Sequence, residues 1–409
     1  MVALGGAYWR LWLSSALSNL ADGVFKVALP LVAVGLTRSP TLIAGLTLAV
    51  RLPWLLFALP AGALADRLDR RHAMLGANFA RAGLLAVLAL TVSLDIASIW
   101  VLYAIAFAVG ITETIYDTCA QSIVPQLVGR DQLSRANGRL FAAELTANEF
   151  LGPPLAGLLV AAGALASFVT PAGLWLAAIG ALFLVRGSFR PSGEGPPRDR
   201  PSSLRADIAE GLRFLFRDRV LRTISVMVGV FNFADTAVFA VLVLHAVGPG
   251  SAMGLSEQAF GLMLTGVAVG GLLGSLAGEW AERVLGRAWT IGLGFVASGV
   301  MLGTPAVSTD PYVVGAAFVL GGAGLMVANV VMVSLRQRLT PDHLLGRVNS
   351  VHRLLAWGTM PLGAAAGGLL AQWLGLPATF ATMAALTLLL LLGVVRLRQS
   401  VAGRRNCAA

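Results

Sequence analysis

Asn19-Leu20-Ala21-Asp22 and Asn232-Phe233-Ala234-Asp235 are two copies of one stretch, 213 residues apart. Two more pairs follow the same offset. Ala65-Asp66-Arg67-Leu68-Asp69-Arg70-Arg71 reads again from Ala281 as AERVLGR, and LSRAN at 133–137 returns as LGRVN at 345–349. Three nearly equal shifts mean that one half-molecule has been duplicated and joined to itself. In a strongly apolar chain, such a repeat points to a membrane protein assembled from two similar halves.

Composition agrees. The chain is 57% hydrophobic and 12% charged, with mean hydropathy +0.80. Soluble domains carry about a quarter charged residues. Apolar runs of about 20 residues are long enough to cross a hydrocarbon core as helix. They lack the short alternation of membrane β-strands. Twelve spans are predicted, near 9–35, 41–65, 74–94, 97–119, 140–162, 167–188, 221–247, 257–280, 289–307, 311–333, 352–374 and 377–395. Six fall in each copy, so both copies start on the same side. The expected fold is an all-α membrane protein of two six-helix bundles related by a pseudo-two-fold along the membrane normal. The expected parts are 1–188, a linker at 189–219 and 220–409.

The net charge is +10, and Lys26 is the one lysine among 30 basic residues. Arg67, Arg70, Arg71, Arg130, Arg135 and Arg139 lie in alternate loops of the first half. Arg283, Arg287, Arg336, Arg338, Arg347 and Arg353 lie in the matching loops of the second. The opposite loops offer Arg38. This is the positive-inside bias, and it places both termini in the cytoplasm. It also accounts for the basic charge without a nucleic-acid partner. Cys119 and Cys407 make no disulfide framework. No cofactor or metal constellation is expected. The first span, which contains Asp22 and Lys26, is expected to be retained as a helix and not cleaved as a leader.

The stretch RPSGEGPPRDRPSS, residues 190–203, reads as flexible linker. From Ser203, a plausible N-cap, Leu204, Ile208, Leu212 and Leu215 recur at helical spacing. A short amphipathic helix on the cytoplasmic face is expected there.

GALADRLDRR at 62–71 resembles the signature loop of the major facilitator superfamily, with Gly62, Asp66, Arg67, Arg70 and Arg71 in the matching places. Asp69 stands where the general pattern has a second Gly. VPQLVGRDQLSRANGR at 124–139, EGLRFLFRDRVLR at 210–222 and TPDHLLGRVNS at 340–350 resemble the siderophore-exporter and macrolide-efflux branch. The resemblance implies a secondary transporter in the bacterial inner membrane that works as a monomer. It also implies that the loop, with Asp117 able to reach Arg71, helps to hold an outward-open state. Glu282, Arg283 and Arg287 form its poorer second copy. Gly62 is read as a point of close backbone approach.

Ionisable side chains at membrane depth are functional candidates. At about 1.5 Å per residue, Asp22, Arg51, Glu149 and Asp235 fall near the midplane. Lys26 and Asn19 share the face of Asp22, and Asn232 repeats Asn19. Low dielectric favours the neutral form of a carboxyl group and an opposite charge opposes that. Asp22, Glu149 and Asp235 are therefore expected to include a proton-coupling site, with Lys26 and Arg51 tuning it or engaging substrate. Asp22 locked to Lys26 is the structural alternative. Arg81, Glu113 and Glu144 form a second cluster, roughly 7–12 Å from the cytoplasmic surface by the same rise, serving as ion-paired structure or as a proton path. Gly266, Gly270, Gly274 and Gly278 form a stripe, and Gly363, Gly367 and GPPLAG at 152–157 add small residues. These suit either a moving seam between halves or static packing.

The chain lacks a Walker-type loop and any nucleophile–base pair, so an enzyme is not expected. The function expected is export of a small amphipathic compound by proton antiport. Uptake symport and a non-transporting membrane sensor or scaffold are the alternatives. Alkaline phosphatase fused after Arg38 is expected to be active and a fusion after Arg139 inactive. The reverse pattern in colony assays would contradict the predicted orientation.

Overall fold

The computed structural model describes residues 4–406 except 66, 130–131, 188 and 190–203. Asp66, most of the predicted linker, Ser203 and Cys407 lie outside the described residues. The described chain is nearly all helix. In the first half run α1 (Gly6–Val34), α2 (Pro40–Ala65), α3 (Arg70–Ser93), α4 (Ile99–Leu127), α5 (Leu133–Leu145), a π-helical turn (Thr146–Leu151), α6 (Gly152–Ala162) and α7 (Ala164–Phe183). Then come α8 (Leu204–Arg217), α9 (Arg219–Ala246), α10 (Glu257–Leu285), α11 (Arg287–Val307), α12 (Pro311–Leu339), α13 (Asp342–Leu374), α14 (Leu376–Leu389) and α15 (Leu391–Asn406).

Among the described residues, eleven stretches are long and apolar enough to cross a membrane. The predicted fifth span, 140–162, is not among them, because α5, the π turn and α6 follow one another without a gap and divide it. The sequence gives the cause. Pro153 and Pro154 supply no backbone N–H, so two ladder bonds are missing at the start of α6. The chain accommodates this just upstream with a wide turn. The sixth span is also shifted, to 164–183 from the expected 167–188, because Gly163 at φ +133° starts a new helix. The last span breaks at Leu390 between α14 and α15.

Helix starts follow their caps. Asp69 Oδ1 accepts the Arg71 and His72 amides at 3.0 and 3.2 Å, and its Oδ2 accepts the Phe189 amide at 2.9 Å. The acidic residue that replaces a family glycine is thus the N-cap of α3 and a tether for Phe189. Asp310 caps α12, with Pro311 in the first turn.

The chain divides into two compact units. The first comprises α1 to α7 and residues 246–265, and the second the remainder. In the first, Tyr8, Leu11, Met74, Leu75, Tyr116, Ile123, Leu182 and Phe189 share a buried core. Arg38 donates to the Val247 and Pro249 carbonyls at 3.0 and 3.4 Å. In the second, the glycine stripe of α10 lies directly on α12. A methyl group on Gly270 would collide with the backbone of Val319, and one on Gly274 with Ala323. Gly363 and Gly367 of α13 meet Phe233 and Ala237 of α9 in the same way. These small residues therefore serve close packing within one unit.

The amphipathic helix expected after Ser203 forms as α8, and its apolar face packs on α13. Leu215 is buried with Leu221, Leu344, Val348 and Val351. Gly211 backs onto the Arg347 backbone, and Glu210 pairs with Arg347. Missing side-chain bulk at Gly211 is what lets α8 dock on the first turns of α13.

Gly270→Val is expected to lower stability by about 1–3 kcal/mol through overpacking. Gly173→Ala, whose methyl meets nothing within 4 Å, should be neutral or raise stability by up to ~1 kcal/mol. Thermal unfolding of the detergent-solubilised protein measures both.

Candidate functional site

Ser14, Ser18, Asp22 and Lys26 recur every fourth residue of α1 and so form one polar stripe on an apolar helix. The stripe faces α3, α4 and α7. Ser14 Oγ donates to the Ala178 carbonyl at 2.8 Å. Arg81 of α3 is 0% exposed and reaches three acceptors through Nη1: Ser18 Oγ at 3.1 Å, Asn78 Oδ1 at 3.3 Å and Asp22 Oδ2 at 3.4 Å. Its guanidinium also lies 5.1 Å from the Tyr116 ring centroid and 5.5 Å from that of Trp175. One turn along α1, Lys26 Nζ meets Glu113 Oε1 of α4 at 2.9 Å. Two cations and two anions thus alternate across three helices inside an apolar bundle.

These pairings cut across the sequence-based grouping. Arg81 and Glu113 were expected together with Glu144, apart from Asp22 and Lys26. Instead each cation of the cluster bonds an anion from the other group. The expectation treated depth as the deciding coordinate, whereas helix neighbourhood decides: α1 packs on α4 and α7, and α3 on the same two. Long Arg and Lys side chains bridge the difference in depth. Arg51 of α2 is half-buried, and Glu144 of α5 is exposed and not buried with Arg81 and Glu113 as expected. Asp22 Oδ1, Asn78 Nδ2, and Arg81 Nε and Nη2 are buried without a hydrogen-bond partner among the described residues. The cluster is therefore paired but under-satisfied, and such groups are expensive at low dielectric.

The two repeated asparagines have a different role from that expected. Asn19 Oδ1 accepts from Asn148 Nδ2 of the π turn at 2.8 Å, while its own amide donates to the Ser15 carbonyl at 2.8 Å. Asn232 Nδ2 donates to the Ala356 carbonyl at 2.8 Å. Each fastens the first helix of its half to the fifth. Beside Asn19, a methyl on Gly23 would stand 2.8 Å from Asn148 Cα, and one on Gly152 2.8 Å from Gly23 Cα. α1 and the π turn therefore cross at backbone contact. Glu149, next to Asn148, is exposed and is not brought to Asp22. Asp235 of α9 is half-buried in the second unit.

The loop residues hold helix ends together. Arg70 Nη1 donates to the Ser122 carbonyl at 2.8 Å. Arg71 donates from Nε and Nη2 to the Leu182 and Phe183 carbonyls at 3.1 and 3.0 Å, capping α7 instead of reaching Asp117. Arg67 is exposed. Gly62 lies within α2, where an added methyl meets nothing within 4 Å among the described residues, so close approach is not its role. In the second copy, Glu282 pairs with Arg287 at 2.8 Å, and Arg283 with Glu279. Ser18, Asn78, Tyr116 and Trp175 were missed by sequence reasoning. The i, i+4 serines of α1, and Asn78 at i−3 from Arg81, were the available signals.

The family model described as transmembrane secretion effector matches residues 5–406. The chain belongs to this family. It is similar to the multidrug efflux pump Tap of Mycolicibacterium fortuitum, at 29% identity over 396 residues and 92% of each chain. It is also similar to macrolide efflux protein A of Streptococcus pyogenes, at 23% identity over 382 residues and 90% of each chain. A bacterial homologue of the iron transporter ferroportin, solved in its inward-facing state, superposes with TM-score 0.75 at 20% identity. The superposition covers 97% of this chain and 99% of that one, and at such identity the likeness speaks for the fold. This secretion effector is accordingly a multi-pass membrane transporter of the major facilitator superfamily and not an enzyme.

Arg81→Met would leave Asp22 buried opposite an apolar side chain, which is expected to cost about 3–5 kcal/mol. The Asp22→Asn/Arg81→Met double variant should recover most of that loss. A double-mutant cycle on unfolding midpoints tests this, and simple additivity would mean that the two residues do not act as a pair.

Proposed function

We propose that this chain exports a small amphipathic compound by proton antiport, through alternating access of two six-helix bundles. The similarity to two efflux pumps over nine-tenths of the chain supports export. The twelve-span reading keeps 140–162 as the fifth span, running from within α5 through the π turn to the end of α6. It is supported by the one-to-one match of the halves: α4 and α12 are both 29 residues long, and their ends are offset by 212. Gly163 and Gly375, also 212 apart, both open the next helix at positive φ. The bundles are assigned to 1–188 and 220–409, joined by 189–219, with both termini in the cytoplasm.

The buried cluster on α1 carries the coupling. Asp22 binds Arg81 through Oδ2, and its Oδ1 has no hydrogen-bond partner among the described residues, so a proton can be added without first breaking a hydrogen bond at that atom. Protonation removes the negative charge that Arg81 faces, which leaves a buried cation under-compensated. The arrangement then favours movement of α1 against α3. Lys26–Glu113 is the second pair that must readjust, and Asn19–Asn148 transmits motion of α1 to the π turn. π turns are frequent at functional sites and supply a ready point of rearrangement. Arg70 and Arg71 act as hinges through the carbonyls they hold on α4 and at the end of α7, and the Glu282–Arg287 pair takes their place in the second copy.

Inverted membrane vesicles energised by respiration, carrying the full chain, should accumulate at least one of a panel of anionic, neutral and cationic fluorescent amphiphiles, and a protonophore should abolish this. Asp22→Asn should lower uptake at least tenfold at equal protein content. A Lys26→Gln/Glu113→Gln pair should retain more activity than either single variant, since it leaves no unpaired charge. Proton-driven uptake undiminished in Asp22→Asn would remove this residue from the mechanism. Uptake confined to right-side-out vesicles would reverse the direction.

A further inference from the structure

On the side of α1 turned away from the Asp22 stripe, Trp9, Trp12 and Leu20 follow helical spacing. With Ala143 of α5 and Leu151 of the π turn they line a cavity of about 460 Å³. That volume is in the range of small-molecule sites. The walls are almost entirely apolar, and Arg139 stands among them as the single ionisable lining residue. Trp9 and Leu20 are eleven residues apart, so the groove runs about 16 Å along the helix, the length of a fused-ring compound with a side arm.

Arg139 is exposed at one end of the groove, and two contacts position it. Trp12 Nε1 donates to its carbonyl at 3.1 Å, fixing the backbone against α1. Its guanidinium lies 5.1 Å from the Trp9 ring centroid, and Trp9 in turn meets Trp12 edge-on at 5.7 Å. Stacking on an indole holds the guanidinium plane. The N–H edge has no acceptor among the described residues. A flat, pre-positioned fork of donors at one end of an apolar slot matches a carboxylate or sulfonate on an aromatic body. A cationic amphiphile would meet like charge there.

We infer that this cavity is a binding site for acidic amphiphiles, with the ligand's anionic group on Arg139 and its apolar body against Trp12, Leu20, Ala143 and Leu151. The inference deepens the export reading by naming a substrate class and rests on that reading for its purpose. Binding is measured without transport, so loss of one observation leaves the other standing.

The test uses the purified full chain in phosphatidylcholine nanodiscs and two matched dyes, 1-anilinonaphthalene-8-sulfonate and its uncharged relative N-phenyl-1-naphthylamine. Each is read as fluorescence above empty-disc background. The intact protein is expected to bind the sulfonate about tenfold tighter than the neutral dye. Arg139→Gln should abolish that preference while leaving neutral-dye affinity within about twofold. Ala143→Phe, which fills the slot, should weaken both dyes about tenfold. Leu276→Phe, on an outward surface of the second unit, should change neither. Equal affinity for the two dyes in the intact protein would overturn the inference, as would an unaltered preference in Arg139→Gln. Displacement of the sulfonate by phosphatidylglycerol would assign the cavity to lipid and overturn it likewise.

Discussion

A cation with no exposure to solvent, Arg81, has to be matched by an anion, and Asp22 is the carboxylate within its reach. Much of the first unit is arranged around that requirement. Transferring either charge alone to an apolar interior is prohibitive. Their attraction is large enough to fix the neighbourhood of α1 and α3. Ser18 and Asn78 share Nη1 of the guanidinium with Asp22, Tyr116 and Trp175 lie against it with their rings, and Nε and Nη2 find no acceptor among the described residues. The result is stable only while the charge balance holds. A single proton on Asp22 alters that balance at the centre of the bundle, where the surrounding helices can respond to it.

The small residues and the π turn make that response mechanically possible. Gly23 and Gly152 bring α1 and the fifth helical segment to backbone contact, so displacement of one is felt by the other with little slack. The π turn at 146–151 arises from Pro153 and Pro154, whose missing N–H groups already break the ladder. The second unit uses glycine to pack α10 on α12 and α13 on α9 at backbone contact. The two copies are not equivalent in sequence: Phe239 occupies in the second copy the place that Lys26 holds in the first.

The helical architecture was legible from periodicity and repeat because hydrophobic length and offset are one-dimensional properties. Asp22, Lys26, Arg81 and Glu113 were legible as buried ionisable groups for the same reason. Their partners were not. Depth along a helix says nothing about which helices are adjacent, so Arg81 was grouped with Glu113 and Glu144 rather than with Asp22. Asn19 and Asn232 read as site residues, and the bonds they make between helices were not legible from spacing. The role of Asp69 as a helix cap, and the docking of α8 through Gly211, depend on a turn and a close approach that spacing alone does not reveal.

Infrared difference spectroscopy on acidification reports most directly whether Asp22 is the proton carrier. The account predicts a protonated-carboxyl band in the intact protein that disappears in Asp22→Asn and persists in Glu149→Gln. A band that survives in Asp22→Asn, or vanishes in Glu149→Gln, would contradict it.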